Sequence, residues 1–232
     1  MFKKEMKNPQ DSIAWSDVKL KREDLKSFYP TILKIPIIYG TKKQIIRNLL
    51  INKARKQKKV LDIGAADRFV KEICSDINRG IEYKSMDTDR SRFHNYYSLA
   101  EIQERFNMIL LLDVIEHLPL NEGLKLLQTC HNLLEPDGEI IVTIPNNNHP
   151  TAFSVDCTHV TSYRYHDLAG LLLSCGLKDI RIFRVSAIKK IKAPTAGINF
   201  KTSPETPRYR LCYRHFNHCK ESYTIKTCFT FY

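Results

Sequence analysis

No stretch of this chain approaches the roughly 18 to 20 consecutive apolar residues that a bilayer-spanning helix needs, so the sequence offers no membrane span. Its first residues, MFKKEMKNPQD, are charged and lead into neither the apolar segment nor the small-residue cleavage site of a secretory leader. The expected compartment is the cytoplasm. Internal repeats and low-complexity tracts are missing. The seven cysteines are odd in number, which argues against a complete disulfide framework. Cys74, Cys130 and Cys175 fall on the apolar faces of predicted helices, where core thiols are expected.

What is present is ample for a buried core. Of 232 residues 43% are hydrophobic and 10% aromatic, enough for one large domain with appendages. We divide the chain into an arm (1–40), a core (41–188) and a basic flap carrying a last strand (189–232). Charge is unevenly spread: residues 1–59 carry 16 Lys+Arg against 5 Asp+Glu, residues 60–188 carry 12 against 18, and residues 189–232 carry 9 against 2. An acidic centre between basic ends suits an anionic partner at the ends, such as a nucleic acid, a phosphorylated substrate or an anionic membrane surface. Lysines that merely solubilise exposed helices explain the same counts.

The chain is organised around Val60–Val70, VLDIGAADRFV. An apolar run closed by Gly64 and followed by Val70, Ile73, Cys74 and Ile77 at helical spacing predicts strand, tight turn and helix. Ahead of it, Thr41 and Gln44 form a capping box for a helix with Ile45, Ile46, Leu49 and Leu50 on one face. Further strands are predicted at IEYKSMD, ending on Asp87, at FNMILLLD, ending on Asp113, at EIIVTIPN and at KDIRIFRVSAI, with helices between them. HNYYS is at best a short strand. Tyr223–Tyr232 alternates as a last strand, expected to be antiparallel. The rhythm is that of an α/β protein with a Rossmann-like, doubly wound, mainly parallel sheet and helices on both faces.

In a parallel sheet the carboxyl ends of the strands share an edge, so Asp62, Gly64, Asp87 and Asp113 converge on one crevice. A dinucleotide site wants G-x-G-x-x-G beside a pyrophosphate. Here only Gly64 remains, Ala66 and Phe69 stand at the later positions, and a carboxylate at Asp62 would repel phosphate. An ammonium or sulfonium suits that edge better, and Asp87 is placed to accept both hydroxyls of a ribose.

VLDIGAADRF, the acid of SMDTD, FNMILLLDVIEHL, LLEPDGEIIVTIPNNNH and DCTHVTSYRYHDLAGLLLSCGL together resemble the class I S-adenosylmethionine-dependent methyltransferases, in the family's order and over roughly Val60–Ile188. The resemblance implies S-adenosyl-L-methionine as cofactor, with Asp62, Gly64, Ala65 and Ala66 at its methionine end and Asp87 and Thr88 at the ribose. It places Ser98 and Leu99 near the adenine, and Asp113 and Val114 at the methionine ammonium. This chain departs from the family's acid-x-G-x-G-x-G at Ala66 and Arg68, and Asn107 stands where aspartate is common. Weakened binding is the expectation, since alanine still allows close approach.

Methyl transfer needs alignment of the acceptor and removal of its proton. Candidates past the strand ends are Glu116, His117, His149, Asp156, His159 and Tyr163, and His117 and His159 are taken as the catalytic pair. Asp113-x-x-Glu116-His117 is similar to the segment by which ubiquinone-pathway O-methyltransferases and small-RNA 2′-O-methyltransferases hold a divalent metal, with His159 as a later ligand. The same string occurs in relatives without metal, where the histidine packs over the cofactor, and that is the reading preferred here. The PNNNHPTAFSVDCTHVTSY segment also resembles methyltransferases of cell-surface glycans. In the tail, Cys212, His215, His218 and Cys219 crowd four ligands together without paired clusters, so structural zinc is not expected. Arg208, Arg210, Tyr213, Arg214 and Phe216 read instead as a basic-aromatic flap, of a kind that also suits single-stranded RNA. Three functions compete: O-methylation of a small molecule or sugar, RNA methylation, and a non-catalytic binding subunit.

Overall fold

A computed structural model of the chain describes residues 13–28, 35–51, 58–77, 80–147, 151–186 and 227–231. His149, the Cys212–Cys219 group and the basic-aromatic flap lie outside these residues. Helix α1 (Trp15–Phe28) precedes strand β1 (Ile37–Tyr39) and helix α2 (Lys42–Ile51); β2 (Lys58–Ile63), α3 (Phe69–Ile77) and β3 (Ile81–Met86) follow. Then come β4 (Phe106–Leu112), α4 (Leu120–Leu133), β5 (Leu134–Pro145), α5 (Tyr165–Ser174), β6 (Ile182–Ser186) and β7 (Thr227–Phe231). Single 3-10 turns cover Leu99–Glu101 and Ile115–His117.

The seven strands form one sheet in the order β1-β6-β7-β5-β4-β2-β3, and every pairing is parallel. Two observations correct the sequence reading. The last strand is not antiparallel: β7 lies between β5 and β6 and runs parallel to both. Alternation tells which residues share a face but carries no direction, and a connection longer than a hairpin leaves both directions open. Second, β1 pairs with β6, so residues 37–39, assigned to the arm, belong to the sheet. HNYYS contributes a single bridge, Met86 to Tyr96.

Alternation along the strands sends side chains to two cores. Leu61, Ile63, Ile109, Leu111, Ile140 and Val142 pack with α1, α4 and α5 residues on one face. Val60, Met108, Leu110 and Ile141 pack with Ile45, Ile46, Leu50, Val70, Ile73 and Cys74 of α2 and α3 on the other. The central strand is apolar on both sides because both sides are covered. Thr41 and Gln44 make the expected capping box: the Gln44 N–H donates to Thr41 Oγ1 (3.2 Å) and the Thr41 N–H to Gln44 Oε1 (2.9 Å). Cys74, Cys130 and Cys175 are buried free thiols. Among the described residues no helix is long and apolar enough to cross a membrane.

Candidate functional site

Strand β2 has β3 on one side and β4 on the other, so the strand order reverses there and a crevice opens at the carboxyl ends. Gly64 closes β2 with φ +70°, and its N–H donates to Met86 O at 2.9 Å. A Cβ on Gly64 would come within 2.6 Å of Val114 Cγ2. Only glycine lets the turn after β2 touch the turn after β4. Ala66 (φ 41°) and Arg68 (φ 57°) also sit in the left-handed region, which costs a non-glycine residue about 1–2 kcal/mol. Hydrogen bonds hold the shape in place of glycine: the Ala66 N–H donates to Asp87 Oδ2 (2.9 Å) and the Arg68 N–H to Ala65 O (2.6 Å). The glycine departures thus keep the turn's backbone form.

The acids divide into three environments. Asp87 stands at the rim, its second oxygen accepting from the Asp89 N–H at 3.0 Å, with Thr88 exposed beside it. Asp62 is 2% exposed. Its carboxylate accepts from the Tyr83 hydroxyl at 2.8 Å, and burial, opposed by that bond and by Lys42, pushes its pKa up to about 7. It therefore lies closed to solvent beneath the crevice rather than lining it. Asp113, at φ 58°, is fully engaged: Oδ1 accepts from the Thr143 hydroxyl at 2.5 Å and Oδ2 pairs with Lys42 Nζ at 2.6 Å. Val114 packs against Gly64. Ser98 caps the Leu99–Glu101 turn by accepting from the Ala100 N–H, and Leu99 is partly buried against the core.

Glu116, His117 and His159 come together, one ligand atom of each lying within 4.8 Å of the other two. Asp113, the fourth of the candidate ligands, is not in this group; Lys42 and Thr143 hold its carboxylate instead. Glu116 is 1% exposed, and neither carboxylate oxygen has a hydrogen-bond partner. Burial, aided by the charges of Asp113 and Asp156, pushes its pKa up to about 8. Both histidines have their other nitrogen engaged. His159 Nδ1 is 2.6 Å from Phe153 O; a carbonyl only accepts, so Nδ1 carries a proton and, in the neutral ring, Nε2 holds the lone pair. His117 Nδ1 is 2.9 Å from Thr158 Oγ1, whose own proton goes to Asp156 Oδ1 at 2.6 Å. That fixes the same tautomer. The rings stand edge to face, with centroids 4.8 Å apart. The segment reaches this point because the Val160 and Thr161 N–H groups donate to Glu116 O (2.7 and 2.9 Å). An orphaned buried carboxylate beside two oriented imidazoles matches the chemistry of a divalent-metal donor set.

Lys42, Tyr83, Thr143 and Thr158 were not among the residues singled out from sequence. Only Lys42 left a signal, as a cation in the first turn of a helix that has no acid there.

A methyltransferase domain family matches residues 39–182 of the chain. No curated protein matches the sequence. Among solved structures, an S-adenosylmethionine-dependent methyltransferase from Archaeoglobus fulgidus has TM-score 0.50 and 20% identity, over 60% of this chain and 70% of its own. A Nostoc punctiforme protein assigned as an O-methyltransferase has TM-score 0.48 and 20% identity, over 59% of this chain and 49% of its own. The 1,6-didemethyltoxoflavin-N1-methyltransferase of Burkholderia thailandensis, solved with S-adenosylhomocysteine, has TM-score 0.35 and 17% identity, over 59% and 64%. Of these three the first reaches 0.50, and it bears on the fold alone.

Proposed function

The chain belongs to the methyltransferase domain family, class I in fold and dependent on S-adenosylmethionine, and on that premise we propose that it methylates a hydroxyl of a small molecule or sugar. The observation that carries this reading is the pair of imidazoles whose Nδ1 atoms are tied to Phe153 O and Thr158 Oγ1, which makes Nε2 the acceptor nitrogen of each neutral ring. S-adenosylmethionine supplies a methyl group already activated on a sulfonium, so the protein has to align the acceptor and take its proton.

In this reading Asp87 and Thr88 receive the ribose hydroxyls. Gly64, Ala65 and Ala66 form the turn that the cofactor approaches, and Ser98 and Leu99 flank the adenine. Asp113 and Val114 face the amino-acid end, with Asp62 as a buried acid beneath. His159 accepts the hydroxyl proton at Nε2, and His117, its ring centroid 4.8 Å away, shares the resulting charge. Asp156 is held below its usual pKa by hydrogen bonds from Thr158 and offsets the positive charge that His117 gains.

A second reading is favoured by one observation, the two unpartnered oxygens of buried Glu116. Glu116, His117 and His159 would hold a divalent metal, and such a metal lowers the pKa of a bound hydroxyl. One experiment separates the two. Transfer of labelled methyl to a panel of hydroxyl acceptors is followed with and without chelator, together with calorimetric titration of Mn²⁺ into the stripped protein. In both readings His159→Ala lowers the transfer rate by about 10²-fold or more while S-adenosylhomocysteine affinity is kept. Activity that survives chelation selects the histidine base; activity lost on chelation, with Mn²⁺ binding that Glu116→Gln abolishes, selects the metal. Full activity in His159→Ala overturns both. A steep fall of acceptor affinity with salt marks the acceptor as a nucleic acid.

A further inference from the structure

A cavity of about 260 Å³ lies between α1, the start of α4, residues 161–163 and α5, a little below the roughly 300 Å³ at which small-molecule sites begin. It has room for one substituted ring rather than for a polymer chain. Trp15, 53% exposed, and the partly buried Leu120 give it apolar walls, and an indole left open to solvent is a platform for a ring. The polar lining carries a surplus of positive charge. Asp167 is neutralised by Arg22, whose Nη1 is 2.9 Å away, while Arg22 Nε is buried without a hydrogen-bond partner. Lys19, exposed on the same helix, has no ion-pair partner among the described residues. The cavity adjoins the histidine site. Thr161, two residues after His159, donates its N–H to Glu116 O (2.9 Å) and its hydroxyl to Leu118 O (2.6 Å). The phenol of buried Tyr163 is pushed up to about 12 by burial, with the charge of Glu116 adding to it. One short segment thus carries both His159 and a wall of the cavity.

We infer that this cavity holds the part of the methyl acceptor remote from the reacting hydroxyl, and that the acceptor is a ring bearing an acid group, carboxylate or phosphate, with Trp15 against the ring and Lys19 and Arg22 Nε on the acid. The inference rests on the reading that the chain methylates a hydroxyl of a small molecule or sugar. A neutral ring would fill the apolar walls and leave the buried Arg22 N–H without an acceptor, which is costly. An acid supplies that acceptor and balances Lys19 at the same time. Because Lys19 is exposed, its own pair with the acid is worth only a few-fold in affinity, and reversing its charge adds repulsion to that loss.

Trp15 is the single tryptophan of the chain, so its emission reports on this cavity without any turnover. Two matched pairs are titrated into the full chain while that emission is followed: 4-hydroxybenzoate against its methyl ester, and glucose 6-phosphate against glucose. Each pair differs in the acid alone, and the pair that responds tells carboxylate from phosphate. The expected result is a saturable change in which the acid of at least one pair binds about fivefold or more tighter than its neutral counterpart. Lys19→Glu is expected to weaken that acid by about tenfold or more and to leave the neutral compound within about twofold, while Lys19→Arg stays near the wild type. Lys19→Met repeats the comparison, with a loss of about threefold to fivefold, if the Glu variant does not fold. No response to either acid, equal affinity for acid and neutral compound, or acid binding that Lys19→Glu leaves unchanged overturns the inference. Calorimetric titration of S-adenosylhomocysteine into the same protein keeps the two readings apart. If S-adenosylhomocysteine binds and no acid is preferred, this inference falls and the methyl-transfer reading stands. If an acid binds and S-adenosylhomocysteine does not, the methyl-transfer reading falls and the acceptor assignment with it.

Discussion

Asp62 is an acid whose chemistry folding alters strongly. Its pKa rises from 3.8 to about 7 because the carboxyl is buried, so between those values the folded chain holds a proton that the unfolded chain has released. The favourable contribution of the neutral carboxyl is complete below about pH 4 and is lost as the pH rises through about 7. At about 1.4 kcal/mol for each unit, the ceiling is roughly 4 kcal/mol. Urea unfolding at about pH 5.5 and about pH 8 is expected to show a less stable wild type at the higher pH. In Asp62→Asn, which keeps an acceptor for Tyr83, that difference shrinks; an equal difference in both proteins would refute the assignment. Sequence located Asp62 at the end of the strand but not its exposure. Alternation puts it on the face of Val60, the α2 and α3 side, and its partner Tyr83 lies on another strand. The three-residue convergence of Glu116, His117 and His159 was partly legible because two of them are adjacent. The engagement of Asp113 by Thr143 and Lys42 was not, since it joins three separate elements.

Among the elements, α1 shows how the first residues join the core. Gly170 of α5 lies so close to α1 that a Cβ there would come within 2.8 Å of the Val18 carbonyl oxygen. Arg22 pairs with Asp167 at 2.9 Å, and Lys21 Nζ donates to Leu173 O at 3.2 Å. Alanine in place of glycine inside a helix is worth about 1 kcal/mol in propensity, whereas forcing a methyl against rigid backbone costs about 1–3 kcal/mol. Gly170→Ala is therefore expected to lower Tm by a few degrees, a shift that thermal unfolding reads directly; a raised Tm would mean that α1 gives way at no cost. Strands β2 to β7 and helices α2 to α5 were legible from apolar periodicity and turn or capping signals; β1, three residues long and placed in the arm, was not. The docking of α1 was not, because it depends on the absence of a side chain on a distant helix. Nor was the direction of β7, which no periodicity encodes.

At the scale of the whole molecule, the parallel sheet and its reversal at β2 bring the ends of β2, β3 and β4 to one edge, which is why acids far apart in sequence share a crevice. This much was legible, because motif order along the chain and strand order in the sheet are linked by right-handed crossovers. The acceptor was not, because no motif in the chain carries a signal for it. The most direct measurement is calorimetric titration of S-adenosylhomocysteine into the wild type and into Asp87→Ala. Removing the carboxylate takes away the acceptor proposed for the ribose hydroxyls and unties the Ala66 N–H from it. Affinity is expected to fall tenfold or more, at least about 1.4 kcal/mol, in a protein that still unfolds cooperatively. Wild-type affinity in Asp87→Ala would show that the cofactor does not lie across the ends of β2 and β3.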